Sequence, residues 1–211
     1  MTKPAGSSGF VEVMTGPMFS SKTEELHRRL NRSAIGKRKT CLLTADGRHV
    51  GGLTTHGVPV LRPDVTVFWT KAPDFVLRMK GDALEAFQTI GIDEAQFLDE
   101  SYLCGVIETL RWGRTILVAG LDLDFRGEPF AGMMMAMARA DSVKKLSAVC
   151  VDCGGSATIS HRLVASTERV LEGMEESYAP LCRACHARRG GILPIAPPVD
   201  TSVVPGNPDR R

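Results

Sequence analysis

The sequence has no apolar run approaching the length that a bilayer span requires, and its opening residues, MTKPAGSSGF, lack the apolar core of a secretion signal. A cytoplasmic location is therefore expected, and a membrane partner is not. Strong charge of one sign is missing too. The formal net charge is +2 over 211 residues, which demands no polyanionic partner, although a nucleotide site needs only local positive charge. There is no internal repeat, and no compositional sign of a disordered or fibrous chain. Instead, 43% hydrophobic and 24% charged residues are ordinary for a soluble globular protein. A chain of this length buries a proper core as one domain, or as one domain with a small appendage.

What is present reads as strands alternating with helices. FVEVMTG (10–16) is a short apolar-alternating run ending in glycine. SKTEELHRRLNRSA follows, with Leu26, Leu30 and Ala34 recurring on one helical face. Glu24 and Glu25 stand in the first turn of that helix, facing the positive end of its dipole, and each has an arginine four residues on, Arg28 and Arg29. KTCLLTADGR and DVTVFWT are the next strands, and two short helical segments are expected between Lys71 and Phe87. TIGIDEAQF is an apolar strand that ends in acids. Leu103, Val106, Ile107 and Leu110 then form a helical stripe closed near Gly113. TILVAGLDLDF is apolar without alternation, as in a strand covered on both faces. The expected fold class is α/β, a mainly parallel sheet wrapped by helices over residues 10–143. From Lys144 the chain offers short β-like pieces, glycines and paired cysteines, so a second, metal-stapled unit is placed at 144–189. The proline-rich stretch from 190 to 211 is expected to be a mobile tail.

GPMFSSKTEEL (16–26) nearly matches a phosphate-binding loop: glycine, four variable residues, glycine, lysine, then serine or threonine. Ser21 stands where the second glycine belongs. In such a loop successive backbone N–H groups turn toward anionic oxygens at a helix N-terminus, a lysine reaches the terminal phosphates and a hydroxyl holds Mg²⁺. Lys22 and Thr23 are the residues for those two roles. A serine in left-handed backbone costs about 1 kcal/mol, which a loop clamped on a triphosphate tolerates. A one-miss match can arise by chance, but a strand before the loop and a helix after it supply the context that the mechanism needs. In IGIDEAQF, Asp93 ends an apolar strand where a P-loop fold places its Mg²⁺ acid, and Glu94 is positioned to take a proton from an attacking hydroxyl or to orient water. A solvated strand end explains the pair equally well until the upstream loop is considered.

The chain has six cysteines. Cys150 with Cys153, and Cys182 with Cys185, form two C-x-x-C pairs, a spacing that suits a closed tetrahedral Zn²⁺ site of structural type. Such a site contributes apparent binding free energy of about 10 kcal/mol or more, enough to hold a segment with little core of its own. His186, beside Cys185, is an alternative ligand but is read as a bystander, and Cys41 and Cys104 as buried apolar residues.

GPMFSSKTEEL, IDEAQF, LDLDFRGEPF and CVDC with SYAPLCRAC, in this order and at these separations, resemble the type II thymidine kinases, the zinc-containing P-loop family of nucleotide salvage. The resemblance runs over roughly residues 10 to 188. It implies a RecA-like α/β domain plus a zinc-ribbon-like lid domain whose long loop closes over thymidine. It also implies ATP as phosphate donor, Mg²⁺, structural Zn²⁺, and transfer of the γ-phosphate to the 5′-hydroxyl of deoxythymidine, with deoxyuridine as a second substrate. The assembly it implies is a homo-oligomer, a tetramer. Carried over by position, Gly16, Pro17, Met18, Phe19, Ser20 and Ser21 wrap the phosphates with Lys22. Thr23 and Asp93 go to Mg²⁺, Gln96 to the nucleotide side, and Glu94 to the base that receives the 5′-OH proton. Arg48, in ADGRH, resembles the family arginine near the transferring phosphate. Met18, Leu121, Phe125 and Phe130 resemble the apolar wall of the base site, and Tyr178 the tyrosine of the closing loop. Core packing is the commoner fate of such apolar residues.

Two rivals share parts of this pattern. A nucleic-acid-dependent P-loop ATPase with a zinc ribbon would have the same loop, acids and cysteines, with HRRLNRSAIGKRKT as its basic run. The near-neutral charge and the absence of an obvious strand-tracking domain count against it, so a nucleic-acid partner is not expected. A zinc-binding adaptor with a decayed loop would account for Ser21, but not for intact Lys22, Thr23, Asp93 and Glu94.

Overall fold

The computed structural model describes residues 9–44, 61–69, 84, 86–110, 113–166, 168–169 and 176–191. Arg48, nearly all of the 71–87 segment and the tail beyond residue 191 lie outside these.

Strand β1 (Phe10–Thr15) leads into helix α1 (Lys22–Ile35), followed by β2 (Thr40–Thr44), β3 (Val65–Trp69) and β4 (Thr89–Asp93). A 3₁₀ turn at Ala95–Phe97 precedes α2 (Glu100–Leu110), β5 (Thr115–Gly120), α3 (Ala131–Arg139) and β6 (Ser142–Lys145). These six strands form one parallel sheet in the order β3-β2-β4-β5-β1-β6. The fold is α/β, as expected, and β5 intervenes between the loop-bearing strand and the acidic strand β4. Because successive side chains in a strand point to opposite faces, β1, β2 and β5 each feed two cores. Val11, Val13, Cys41, Leu43, Ile90, Ile92, Ile116 and Val118 pack on one face with Leu103 and Ile107 of α2 and Met133 and Ala136 of α3. Met14, Leu42, Leu117 and Ala119 pack on the other with Leu26 and Leu30 of α1. Both faces are covered, which is why β5 reads as an unbroken apolar run. Cys41 is fully buried, whereas Cys104 is only half-buried.

Helix α1 carries the expected stripe, with Leu26, Leu30 and Ala34 buried. Its charges pair differently from simple i,i+4 spacing. Arg29 reaches Glu25 at 3.0 Å, but Arg28 also turns to Glu25, at 2.7 Å, instead of to Glu24. Arg29 further pairs with Glu12, which is buried at the centre of β1 on the α1 face.

Beyond the sheet come β7 (Ala148–Val149) and β8 (Ser156–Ala157), then β9 (Ile159–Arg162) and β10 (Tyr178–Leu181), each pair antiparallel, and a short helix α4 (Arg183–Arg188). The interior here is small: Ala148, Cys150, Ala157, Leu181 and Cys185, with Phe19 from the β1–α1 loop packed against them.

Candidate active site

Strand β1 delivers the loop to the carboxyl edge of the sheet. The Thr15 hydroxyl donates to the Gly120 carbonyl oxygen at 3.0 Å, rooting the loop beside the end of β5. At Gly16, φ is 147° and a Cβ would lie 2.3 Å from the Leu146 carbonyl oxygen, so only glycine fits. Pro17 turns its carbonyl oxygen inward, where it accepts from the Ser20 hydroxyl at 2.7 Å and from Lys22 Nζ at 2.6 Å. Phe19 and Ser21 both sit in the left-handed region, with φ of 63° and 58°. Ser21 thus adopts the conformation for which the loop pattern reserves glycine, at a strain of about 1–2 kcal/mol.

Lys22 and Thr23 open α1 directly opposite β4. The Thr23 hydroxyl donates to the Asp93 carboxylate, 3.0 Å from Oδ2 and 3.3 Å from Oδ1, and Asp93 is 3% exposed at the last position of β4. Glu94 follows in left-handed backbone with φ 53°, and its N–H donates to Asp93 Oδ1 at 2.9 Å. Burial holds the Lys22 ammonium below its ordinary pKa, while the carboxylates of Glu94, Asp93 and Asp122 oppose that shift. Lys22 and three acids therefore share the end of the sheet. Asp122 itself pairs with Lys145 at 2.8 Å.

Gln96, assigned by resemblance to the nucleotide, bridges two parts of the site. Its amide N–H donates to Glu94 Oε2, and its Oε1 accepts the Leu121 N–H at 3.0 Å. A Cβ on Gly120 would stand 2.9 Å from that Oε1 and 2.7 Å from Met133 Sδ, so the bare glycine is what admits the glutamine.

The apolar residues occupy a turn between β5 and α3. Asp124 organises it: Oδ1 accepts the N–H groups of Arg126 and Glu128 at 2.9 and 3.0 Å. Phe130 is 7% exposed and, with half-buried Leu121, packs into the core on the α2 and α3 side. Phe125 is half-buried, with the Arg162 guanidinium 3.7 Å above its ring. Tyr178 opens β10 in register with Arg162 of β9, and its hydroxyl accepts from Arg162. Arg162 also donates to the carbonyl oxygens of Ser166 and Arg169, each at 3.3 Å, and to that of Glu168. Sequence reasoning did not single out Arg162. Its position opposite Tyr178 exists only in the antiparallel register. Met18, half-buried, donates its N–H to Ser160 Oγ at 2.9 Å, tying the loop to β9.

The four paired cysteines come together with all their sulfurs within 4.8 Å of one another, and Cys153 Sγ lies 3.8 Å from Cys182 Sγ. Zn–S bonds of about 2.3 Å in a tetrahedron place sulfurs about 3.8 Å apart, so the set fits zinc. The Cys185 N–H donates to Cys182 Sγ at 3.4 Å, and Arg188 donates to Cys185 Sγ at 2.8 Å. Backbone N–H groups, that of Cys182 foremost, draw the Cys150 thiol down to about 6, whereas burial pushes that of Cys185 up to about 12. A divalent cation bound here would favour the thiolate form of all four cysteines. His186 stands outside the set, its Nδ1 3.0 Å from that of His161.

A family model described as thymidine kinase matches residues 9–186. A thymidine kinase of Deinococcus radiodurans is 40% identical over 210 residues, covering 93% of this chain and 99% of that protein. A thymidine kinase of Deinococcus deserti is 36% identical over 206 residues, covering 88% of this chain and 98% of that protein.

Proposed function

The chain belongs to the thymidine kinase family, and on that premise we propose how its own residues move the γ-phosphate of ATP to the 5′-hydroxyl of deoxythymidine. It is an ATP-dependent nucleoside kinase, a transferase. The alternative of a nucleic-acid-dependent ATPase is not favoured. The observation that carries the reading is the meeting of Lys22, Thr23, Asp93 and Glu94 at the carboxyl ends of β1 and β4.

In this reading the backbone from Gly16 to Ser21 wraps the phosphates, and Lys22 exchanges the Pro17 carbonyl for the β- and γ-phosphate oxygens. Thr23 Oγ1 and the Asp93 carboxylate are the groups that would hold Mg²⁺, which when bound neutralises charge developing on those oxygens. Glu94 takes the proton of the 5′-hydroxyl as that oxygen bonds to the γ-phosphorus. The bond to the β,γ-bridging oxygen breaks, ADP leaves, and the product is the nucleoside 5′-monophosphate. Gln96 is a positioning residue: its two hydrogen bonds support an aim of Glu94 toward the turn that carries Leu121. Phe125, Phe130, Leu121, Met18 and Tyr178 line the base site, and Arg48 stabilises the transferring phosphate. The cysteine unit placed at 144–189, whose first two residues still belong to β6 of the sheet, acts as the lid over the domain at 10–143, with Cys150, Cys153, Cys182 and Cys185 as the residues that would hold structural Zn²⁺. Among the described residues no helix is long and apolar enough to cross a membrane; a cytoplasmic location is part of the proposal. The family resemblance adds a homotetramer and turnover of deoxyuridine.

A panel of nucleosides with ATP and Mg²⁺, scored by phosphorylated product and run beside single-stranded DNA, tests the activity. Phosphorylated thymidine without DNA stimulation is expected. ATP hydrolysis that needs DNA and ignores nucleosides would overturn the assignment.

A further inference from the structure

We propose that Arg169 is a positioning residue for the nucleoside: it clasps the connection after β9 onto the turn carrying Leu121, Phe125 and Phe130, with Asp124 as its partner. The proposal rests on the kinase reading above and adds to it a residue that neither the motifs nor the family resemblance marks.

Three contacts of one guanidinium carry it. Arg169 Nε donates to Asp124 Oδ2 at 3.0 Å, Nη2 donates to the Pro129 carbonyl oxygen at 2.8 Å, and the group lies 4.6 Å above the Phe130 ring. All three fall on the 121–130 turn, and none on the 16–23 loop. Surface ion pairs generally contribute little, but the Asp124 side chain is only 2% exposed, so losing its partner leaves a buried carboxylate uncompensated. The same stretch is held by Arg162, which donates to the carbonyl oxygens of Ser166, Glu168 and Arg169 while stacking on Phe125. Arg162 and Arg169 thus both tie this short segment to the 121–130 turn, and both end on aromatic residues assigned to the base site. A planar fork that makes two hydrogen bonds and a stack at once is not replaced by lysine.

Asp124 divides its labour between its two oxygens. Oδ1 holds the turn through the Arg126 and Glu128 N–H groups, and Oδ2 faces Arg169. Asp124→Asn can therefore keep the turn and lose the clasp, which separates the clasp from the fold of the turn.

The test compares Arg169→Ala, Arg169→Lys, Asp124→Asn and the Arg169→Ala/Asp124→Asn double variant by steady-state kinetics on the full chain. Arg169→Ala is expected to raise KM for thymidine by about tenfold with kcat within about threefold and KM for ATP within about twofold of wild type. Arg169→Lys should fall between, Asp124→Asn should match Arg169→Ala, and the double variant should be no worse than either single one. Thymidine KM unchanged within about twofold, equal rises for both substrates, or additive losses in the double variant would overturn the clasp. Amide hydrogen exchange over 163–169 in the same proteins gives a readout independent of turnover. Faster exchange there with α1 unchanged supports the clasp, and unchanged exchange overturns it. Wild-type protein that fails to phosphorylate thymidine would sink the kinase reading instead, with the exchange result still deciding the clasp.

Discussion

Ser21 and Glu94 sit in left-handed backbone, at φ 58° and 53°, one at the phosphate loop and one at the acid pair. Strain of this kind persists where surrounding contacts over-determine it. Here Ser21 is held by the Glu25 N–H, which donates to its carbonyl oxygen at 3.0 Å, and Glu94 by Asp93 and Gln96. Ser21→Gly removes about 1 kcal/mol of strain but frees the unfolded chain by a similar amount, so stability should stay within about 1 kcal/mol of wild type. KM for ATP should move by no more than about twofold, and a tenfold loss would show that the serine side chain itself meets the phosphates. Glu94→Gln keeps the shape of the acid and removes its basicity. Turnover should drop roughly 10²-fold or more while ATP affinity, measured by titration calorimetry, stays near wild type. Turnover near that of the parent enzyme would take Glu94 out of the role of base.

Helix α1 is fixed by its apolar stripe and by one carboxylate. Glu25 accepts from Arg28 and Arg29 on its own helix and from Lys144 of β6 at 2.9 Å, so a single residue fastens the phosphate-loop helix to the edge of the sheet. The Arg28 hydrogen bond foremost, with burial opposing and Lys144 and Arg29 adding, holds the Glu25 carboxyl well below the usual glutamate value of 4.5. A carboxylate whose folded pKa is depressed stabilises the fold above its unfolded pKa and loses that contribution as pH falls through and below it. Thermal melts of wild type and Glu25→Gln should therefore differ most near neutrality and converge as pH drops below 4.5. A difference that stays constant into strong acid would remove Glu25 from this account. The helix itself was legible from Leu26, Leu30 and Ala34. The choice of Glu25 over Glu24 by Arg28 was not, because i,i+3 and i,i+4 partners are equally near on a helix surface and a third body, Lys144, tips the balance.

At the scale of the molecule the phosphate loop is stitched to the cysteine-bearing region. Phe19 packs into the cysteine unit's small core, the Met18 N–H reaches Ser160, and the Leu146 N–H donates to the Thr15 carbonyl oxygen at 2.7 Å. The phosphate loop is therefore tied to a region whose interior is small, and on the lid reading that region is held by its four sulfurs. Cys153→Ser should lose bound zinc, measured by metal analysis, and thymidine binding, while the far-UV signal of the parallel sheet survives. Unchanged thymidine affinity in zinc-free protein would contradict the staple.

The linear chain determined what depends on local spacing: the apolar strands, the α1 stripe, the loop with Lys22 and Thr23, the acids at 93 and 94, and the two cysteine pairs. Each is a pattern whose chemistry is complete within a few residues, so it can be read before the chain folds. Tertiary structure alone decided which residues serve those groups from a distance. Gly120 makes room for Gln96, Gln96 ties Glu94 to Leu121, and Asp124 meets Arg169, 45 residues further along the chain. Arg162 acquires its partners only once β9 and β10 pair in one register. Such roles follow from sheet order and strand register, which bring together groups far apart in the chain, and no local periodicity records that meeting.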